Sequence, residues 1–167
     1  MAVAESVWPR IARPGSRGWY LNLNVWRHYA IEWGDWHPFP VTMPTNVVMA
    51  LHAGLRELVA EGLEHRLANY WKLARRLRAG LAKLGMPPVM GDECSAPVLT
   101  AAWVPEWTTS TEIVAFVTKE HNIQITRGFG ALRERVIRIG HMGSEVDEEL
   151  MDALLAALAD FLKRRKA

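Results

Sequence analysis

From Thr45 onward, apolar residues recur at spacings of three and four. Val48, Leu51, Leu55, Leu58 and Val59 stripe a helix that Pro44 and Thr45 open and Gly62 ends. A second amphipathic run, about Leu63 to Leu84, places Leu67, Trp71, Ala74, Leu77, Leu81 and Leu84 on one face. Arg66, Lys72, Arg75, Arg76, Arg78 and Lys83 fall mostly outward, and Gly85, Pro87 and Pro88 stop the helix. Pro97 to Val104 reads as a strand, because Val98, Leu99, Thr100 and Val104 favour extended backbone. Thr109, with Glu112 three residues on, forms a capping-box pattern that opens a helix through Ile113, Val114, Phe116 and Val117. Ile123 to Thr126 and Arg135 to Ile139 read as two more strands, joined by the glycine-bearing loop Arg127 to Glu134. Ser144 is expected to cap a last helix striped by Val146, Leu150, Leu154, Leu155, Leu158 and Leu162. The order from Pro97 is strand, helix, strand, strand, helix, an α+β arrangement with helices on one face of a small sheet.

Residues 1 to 44 differ. They hold five of the eight tryptophans and five of the nine prolines, with no sustained helical period. A winding segment pinned by aromatics is expected. Each large ring needs roughly 150–250 Å² of cover, so the segment must lie against the rest of this chain, a second subunit or a further domain.

Composition narrows the class. The 167 residues are 50% hydrophobic and 23% charged with a net charge of +2, which excludes global disorder and suits one core-forming domain or one piece of a larger one. No apolar run is long enough to span a membrane, and the first residues lack a basic segment followed by an apolar one, so a cytoplasmic chain without membrane partners is expected. Cys94 is the single cysteine, which excludes an intrachain disulfide and a multi-thiolate zinc site. His28, His37, His52, His65, His121 and His141 share no metal-binding spacing, so no metal site is expected. His37, beside Pro38, is the histidine most suited to a role, with a ring satisfied by a loop carbonyl as the plainer alternative.

The basic residues are 15 arginines and 5 lysines, and the first lysine is Lys72. Acids and bases alternate along most of the chain, so the Arg-rich helix reads as a solvated face rather than a nucleic-acid footprint, and Lys163 to Lys166 as a complement to a helix dipole. Phosphate-binding glycine motifs, zinc-protease motifs and nucleophile elbows are all missing. Arg138 stands out inside the apolar string Val136-Ile137-Arg138-Ile139-Gly140. A guanidinium can hold a carboxylate by two charge-assisted bonds, and here it fits a structural salt bridge or a ligand anchor equally well.

Four strings occur in order. These are Gly18-Trp19-Tyr20-Leu21-Asn22-Leu23, Trp36-His37-Pro38 through Val41-Thr42-Met43-Pro44-Thr45, Gly128-Phe129-Gly130, and Val136 through Arg138-Ile139-Gly140-His141-Met142-Gly143. Together they resemble the C-terminal part of the class V aminotransferases, of the alanine–glyoxylate or serine–glyoxylate (serine–pyruvate) type. The resemblance implies a pyridoxal 5′-phosphate enzyme of fold type I. It implies a homodimer that moves amino groups between alanine or serine and glyoxylate or pyruvate. Residues 1–60 would be the tail of the large cofactor-binding domain, and 61–167 a small C-terminal α+β domain with a small antiparallel sheet. The resemblance makes Arg138 the grip on the substrate α-carboxylate and Thr42 a contact to the cofactor phosphate across the dimer.

Departures from the family pattern are equally specific. Phe39 stands where relatives often carry a phosphate-contacting tyrosine, and Arg127 brings bulk and charge near the implied substrate mouth, either altering substrate choice or simply pointing to solvent. The Schiff-base lysine of the family has no counterpart, since nothing between Met1 and Lys72 can replace it and Lys72 and Lys83 lie on a polar helix face. No catalytic residue is therefore assigned, and the chain alone is expected to lack transaminase turnover. A stand-alone α+β ligand-binding or interaction module, reusing the small domain, is the competing expectation. Nucleic-acid binding through the Arg-rich helix is a third.

Overall fold

The computed structural model describes residues 2–12 and 18–166, with the side chain of Lys166 omitted. The expectations for Arg13 to Arg17, and for Lys166 in the basic end, lie outside the described residues. The chain divides into two units, Met1–Arg56 and Glu57–Ala167.

The first unit departs from the expected winding segment, since it contains α1 (Trp8–Ile11) and a ten-residue helix, α2 (Leu23–Glu32). Asn22 starts α2, its side-chain oxygen accepting the Asn24 N–H at 3.1 Å. Aromatic packing replaces the missing apolar period. Tyr29 meets Trp33 edge-on at 4.4 Å, and Trp33 meets Trp36 at 5.7 Å. Indole N–H groups tie the loops down, Trp19 donating to the Pro40 carbonyl at 2.9 Å and Trp26 to that of Tyr20 at 2.8 Å. Helix α3 (Thr45–Glu61) then crosses the boundary between the units, with Thr45 and Gly62 where expected. None of its residues is buried.

The second unit carries the core. Helix α4 (Leu63–Lys83) is followed by β1 (Leu99–Trp103), α5 (Ser110–His121), β2 (Thr126–Arg127), β3 (Val136–Gly140) and α6 (Glu148–Lys166). The strands form an antiparallel sheet in the order β1-β3-β2. Helices α4, α5 and α6 pack on one face, where Ala102, Ile137 and Ile139 meet Leu77, Ile113 and Phe161, all essentially solvent-free. Gly80 lets α4 and α6 approach, because a Cβ there would run into the methyl groups of Leu155. The expected capping box is complete: Thr109 accepts from the Glu112 N–H, and the Glu112 carboxylate accepts from that of Thr109.

Three expectations need correction. Ile123 to Ile125 are not strand: α5 ends with Asn122 in the left-handed region (φ 54°), and the Ile123 N–H turns back to the Val117 carbonyl, finishing the helix instead of pairing. Asp147, not Ser144, caps α6, accepting the Leu150 N–H at 2.9 Å, and the helix begins at Glu148. Arg78 is not outward but only 7% exposed. It donates to Asp92 at 2.5 Å, to the Ala96 and Leu99 carbonyls at 2.8 and 3.3 Å, and to the Thr100 hydroxyl at 3.3 Å. Four acceptors satisfy a charge that would otherwise be costly to bury.

Arg66, Lys72, Arg75 and Arg76 on the basic helix face are paired as well. Arg76 forms a two-pronged bond to Asp152 at 2.6 and 2.8 Å and reaches Glu148, which also takes Lys72. At the end of α6, Arg164 pairs with Asp160 and Arg165 with Glu112. No helix among the described residues is long and apolar enough to cross a membrane.

Candidate functional site

Arg138 sits in the middle strand of the sheet, opposite Ala101 on β1 and Thr126 on β2. Side chains alternate along a strand, so with Ile137 and Ile139 committed to the helical face, Arg138 emerges on the other. Its Nε–H donates to the Arg127 carbonyl at 2.8 Å, and its guanidinium carbon lies 3.8 Å from the centre of the Phe129 ring. Among the described residues its terminal nitrogens have no hydrogen-bond partner and no carboxylate pairs with it, so the salt-bridge alternative finds no support there.

The loop between β2 and β3 sets Phe129 in place. A Cβ at Gly128 would collide with the Leu132 carbonyl, and Gly130 has φ +52°, a left-handed conformation, so both positions flanking Phe129 favour glycine. The carbonyl of Arg127 meets Arg138, while its side chain turns to Thr111 and Glu134. Arg127 pairs with Ile137 in register, its side chain lies on the helical side, and Nη1 donates to the Thr111 hydroxyl at 2.8 Å and meets Glu134 at 3.5 Å. The Thr111 hydroxyl bond, aided by the Arg127 and Arg133 charges, holds the Glu134 carboxyl below the usual carboxylate range.

After β3 the chain is anchored by a residue the sequence reading did not single out. His141 is fully buried, its N–H donates to the Val98 carbonyl at 2.9 Å, and Nε2 lies 2.9 Å from the Thr100 hydroxyl that also accepts from Arg78. Burial, with the nearby Arg78 charge, lowers its pKa and favours the neutral ring. Two residues on, the Gly143 N–H donates to the Tyr70 hydroxyl at 3.3 Å, tying this loop to α4. The signal for His141 was its place in the Arg138-to-Gly143 string, as a polar residue closing an apolar strand, with no role attached to it.

Thr42 belongs to the first unit. It is exposed at the head of the turn into α3, and its hydroxyl makes no hydrogen bond among the described residues. Such a hydroxyl, ahead of a helix start, suits one phosphate contact. Phe39 is 44% exposed and lines an apolar hollow of about 710 Å³ with Trp8, Tyr20, Trp26 and Arg27, and it has no hydroxyl to offer. His37 lies among rings, stacked on Trp36 at 5.4 Å.

Covalent cofactor attachment does not fit the described lysines. Lys72 is 64% exposed and ion-paired to Glu148, Lys119 is 84% exposed beside Glu120, and Lys83 and Lys163 are also exposed. A buried, nucleophilic amine is what that chemistry needs. No group of three His, Cys, Asp or Glu among the described residues can hold a metal.

No protein-family model matches the chain. Over 156 residues it is 28% identical to a Synechococcus protein described as the small subunit of a soluble hydrogenase, covering 93% of this chain and 39% of that one. Over 163 residues it is 32% identical to the alanine–glyoxylate aminotransferase of Oryctolagus cuniculus, covering 95% and 40%. The solved alanine–glyoxylate aminotransferase of a Nostoc species superposes with a TM-score of 0.83 at 28% identity, over 95% of this chain and 42% of that one. The chain thus spans about two fifths of the length of the curated relatives it matches. Further relatives and structural neighbours are transaminases named for ureidoglycine–glyoxylate and pyridoxamine–pyruvate exchange. The small antiparallel sheet with helices on one face and this run of similarities make the chain similar, over about 95% of its length, to a part of aminotransferases of the alanine–glyoxylate type.

Proposed function

We propose that this chain is the C-terminal part of a pyridoxal 5′-phosphate-dependent aminotransferase that moves amino groups between alanine or serine and glyoxylate or pyruvate. The observation that carries the reading is the disposition of Arg138, whose two terminal nitrogens are unengaged on the open face of the sheet while its Nε–H and one ring face are held. In this reading residues 1–60 are the tail of the large cofactor-binding domain and 61–167 the small domain, working as a cytoplasmic homodimer. The exposed rings of the first unit and the uncovered stripe of α3 are then surfaces for the large domain and a partner subunit.

Bound pyridoxal phosphate supplies the electron sink for bond breaking at the substrate α-carbon. Arg138 grips the substrate carboxylate with two parallel N–H donors, which fixes the direction of the α-C–H bond. Thr42 donates its hydroxyl to the cofactor phosphate. The sheet and the anchored loop after β3 keep Arg138 from drifting, because His141 and Gly143 bind that loop to β1 and α4.

Because no described lysine fits the covalent role, the pure chain supplied with pyridoxal phosphate should show no alanine–glyoxylate exchange. The same assay run on a polypeptide extended upstream in frame should show it, and Arg138→Gln should raise KM at least tenfold there. Turnover by the pure chain, or an extended enzyme indifferent to Arg138→Gln, would overturn the reading.

A further inference from the structure

We infer that Phe129 and the Arg127 carbonyl preset Arg138 for end-on capture of a small carboxylate, which makes Phe129 a positioning residue of the site. The inference rests on Arg138 being the substrate anchor, as proposed above. A guanidinium offers a carboxylate two bidentate modes, side-on through Nε–H with one terminal N–H, or end-on through both terminal nitrogens. Here the side-on mode is closed, because the Arg127 carbonyl accepts the Nε–H at 2.8 Å. Rotation about the last side-chain bonds is opposed by Phe129, whose ring centre lies 3.8 Å from the guanidinium carbon. What remains is the end-on fork, held in one plane.

The loop is built for this. A side chain at Gly128 would meet the Leu132 carbonyl, Gly130 holds the left-handed conformation that glycine favours, and the residue between them is extended (φ −121°, ψ 157°), with its ring over the Arg138 guanidinium. Phe129 is 73% exposed. An apolar ring kept at the surface, with its contact directed to a cation, does not contribute to the core. Its effect is to hold the cation flat and to thin the water around the fork, which strengthens a charge-assisted pair.

The test uses the full ¹⁵N-labelled chain with pyruvate as probe and acetamide as the uncharged control, following the Arg138 side-chain N–H signals. Pyruvate should shift the terminal N–H signals and leave Nε–H nearly still, and acetamide should do neither. Phe129→Leu keeps an apolar side chain but removes the ring quadrupole, and should weaken pyruvate binding about two- to fivefold. Phe129→Tyr should restore it. Because the residue is exposed, these variants should keep the wild-type urea midpoint, which separates positioning from folding. An Nε–H shift as large as that of the terminal groups would overturn the end-on mode. Unchanged affinity in Phe129→Leu, while Arg138→Gln abolishes binding, would sink the role of Phe129 and leave the anchor standing. A chain that binds no pyruvate, or binds it equally well as Arg138→Gln, would remove both.

Discussion

Helices α3 and α4 adjoin at Gly62 and both carry apolar residues at spacings of three and four. Yet α4 buries Leu73, Ala74, Leu77 and Leu81, while α3 buries nothing. Periodicity therefore specifies a helix and the direction its apolar side faces. It says nothing of what meets that side. For α4 the answer is local, because β1 and α6 of the same unit cover it. In α3, Leu51 is 60% and Leu55 49% exposed.

The sharpest way to break this comparison is Leu77→Ala. The side chain is fully buried in the α4 stripe, so truncation removes transfer energy and leaves a cavity, and the expected loss is about 2–5 kcal/mol. Urea unfolding followed by far-ultraviolet circular dichroism measures it. A loss below about 1 kcal/mol would mean that the core of the second unit is loose, and that α4 differs from α3 less than its burial implies.

A smaller effect concerns His141. Its folded ring resists protonation because it is buried and because Arg78 is nearby, whereas an unfolded imidazole takes a proton near pH 6.5. The unfolded state therefore binds more protons below that pH. Stability is full above about pH 6.5 and falls as pH drops, by at most about 1.4 kcal/mol per unit, until the folded ring is also protonated. The paired carboxylates Asp92, Glu148 and Asp152, held low chiefly by bonds from Arg78, Lys72 and Arg76, lose their contribution in a separate, more acidic window. Unfolding free energies at half-unit steps from pH 5 to 7.5 should show the slope in the wild type and a flattened one in His141→Asn. An unchanged slope in the variant would assign it to other groups.

These contrasts mark where the sequence was legible. The capping box at Thr109 and Glu112 is local chemistry over four residues, and it appears as read. The limits of α3 and α4 follow from Pro44, Gly62 and Gly85, and match within a residue or so. Helix α2 was missed because tryptophans and a tyrosine, not an aliphatic period, pack its turns. Arg78 was read as outward because its charge outweighed its position, one residue beyond Leu77. Only tertiary structure brings Asp92, Ala96, Leu99 and Thr100 within its reach. The strand context of Arg138 was visible from the apolar string around it, but Phe129 above its guanidinium depends on a close backbone approach at Gly128 and a left-handed turn at Gly130, which pattern alone does not convey.

The smallest expected change in stability sharpens the comparison most. Leu51→Ser with Leu55→Ser strikes the α3 stripe as Leu77→Ala strikes that of α4. Both side chains already meet solvent in the folded chain, so little transfer energy is lost when they go, and the unfolding free energy should move by no more than about 0.5 kcal/mol. The surface should change far more than the stability. Val48, Leu51, Leu55 and Val59 are all exposed along one helix, an apolar strip that 1-anilinonaphthalene-8-sulfonate should bind, and two serines in its middle interrupt the strip. Dye fluorescence should drop by about half or more while the circular dichroism spectrum stays the same. A destabilisation near that of Leu77→Ala would show that α3 is covered within this chain after all. Bright, unchanged fluorescence would place the sticky surface in the aromatic segment ahead of it, around Trp19, Tyr20 and Trp36, which are themselves exposed.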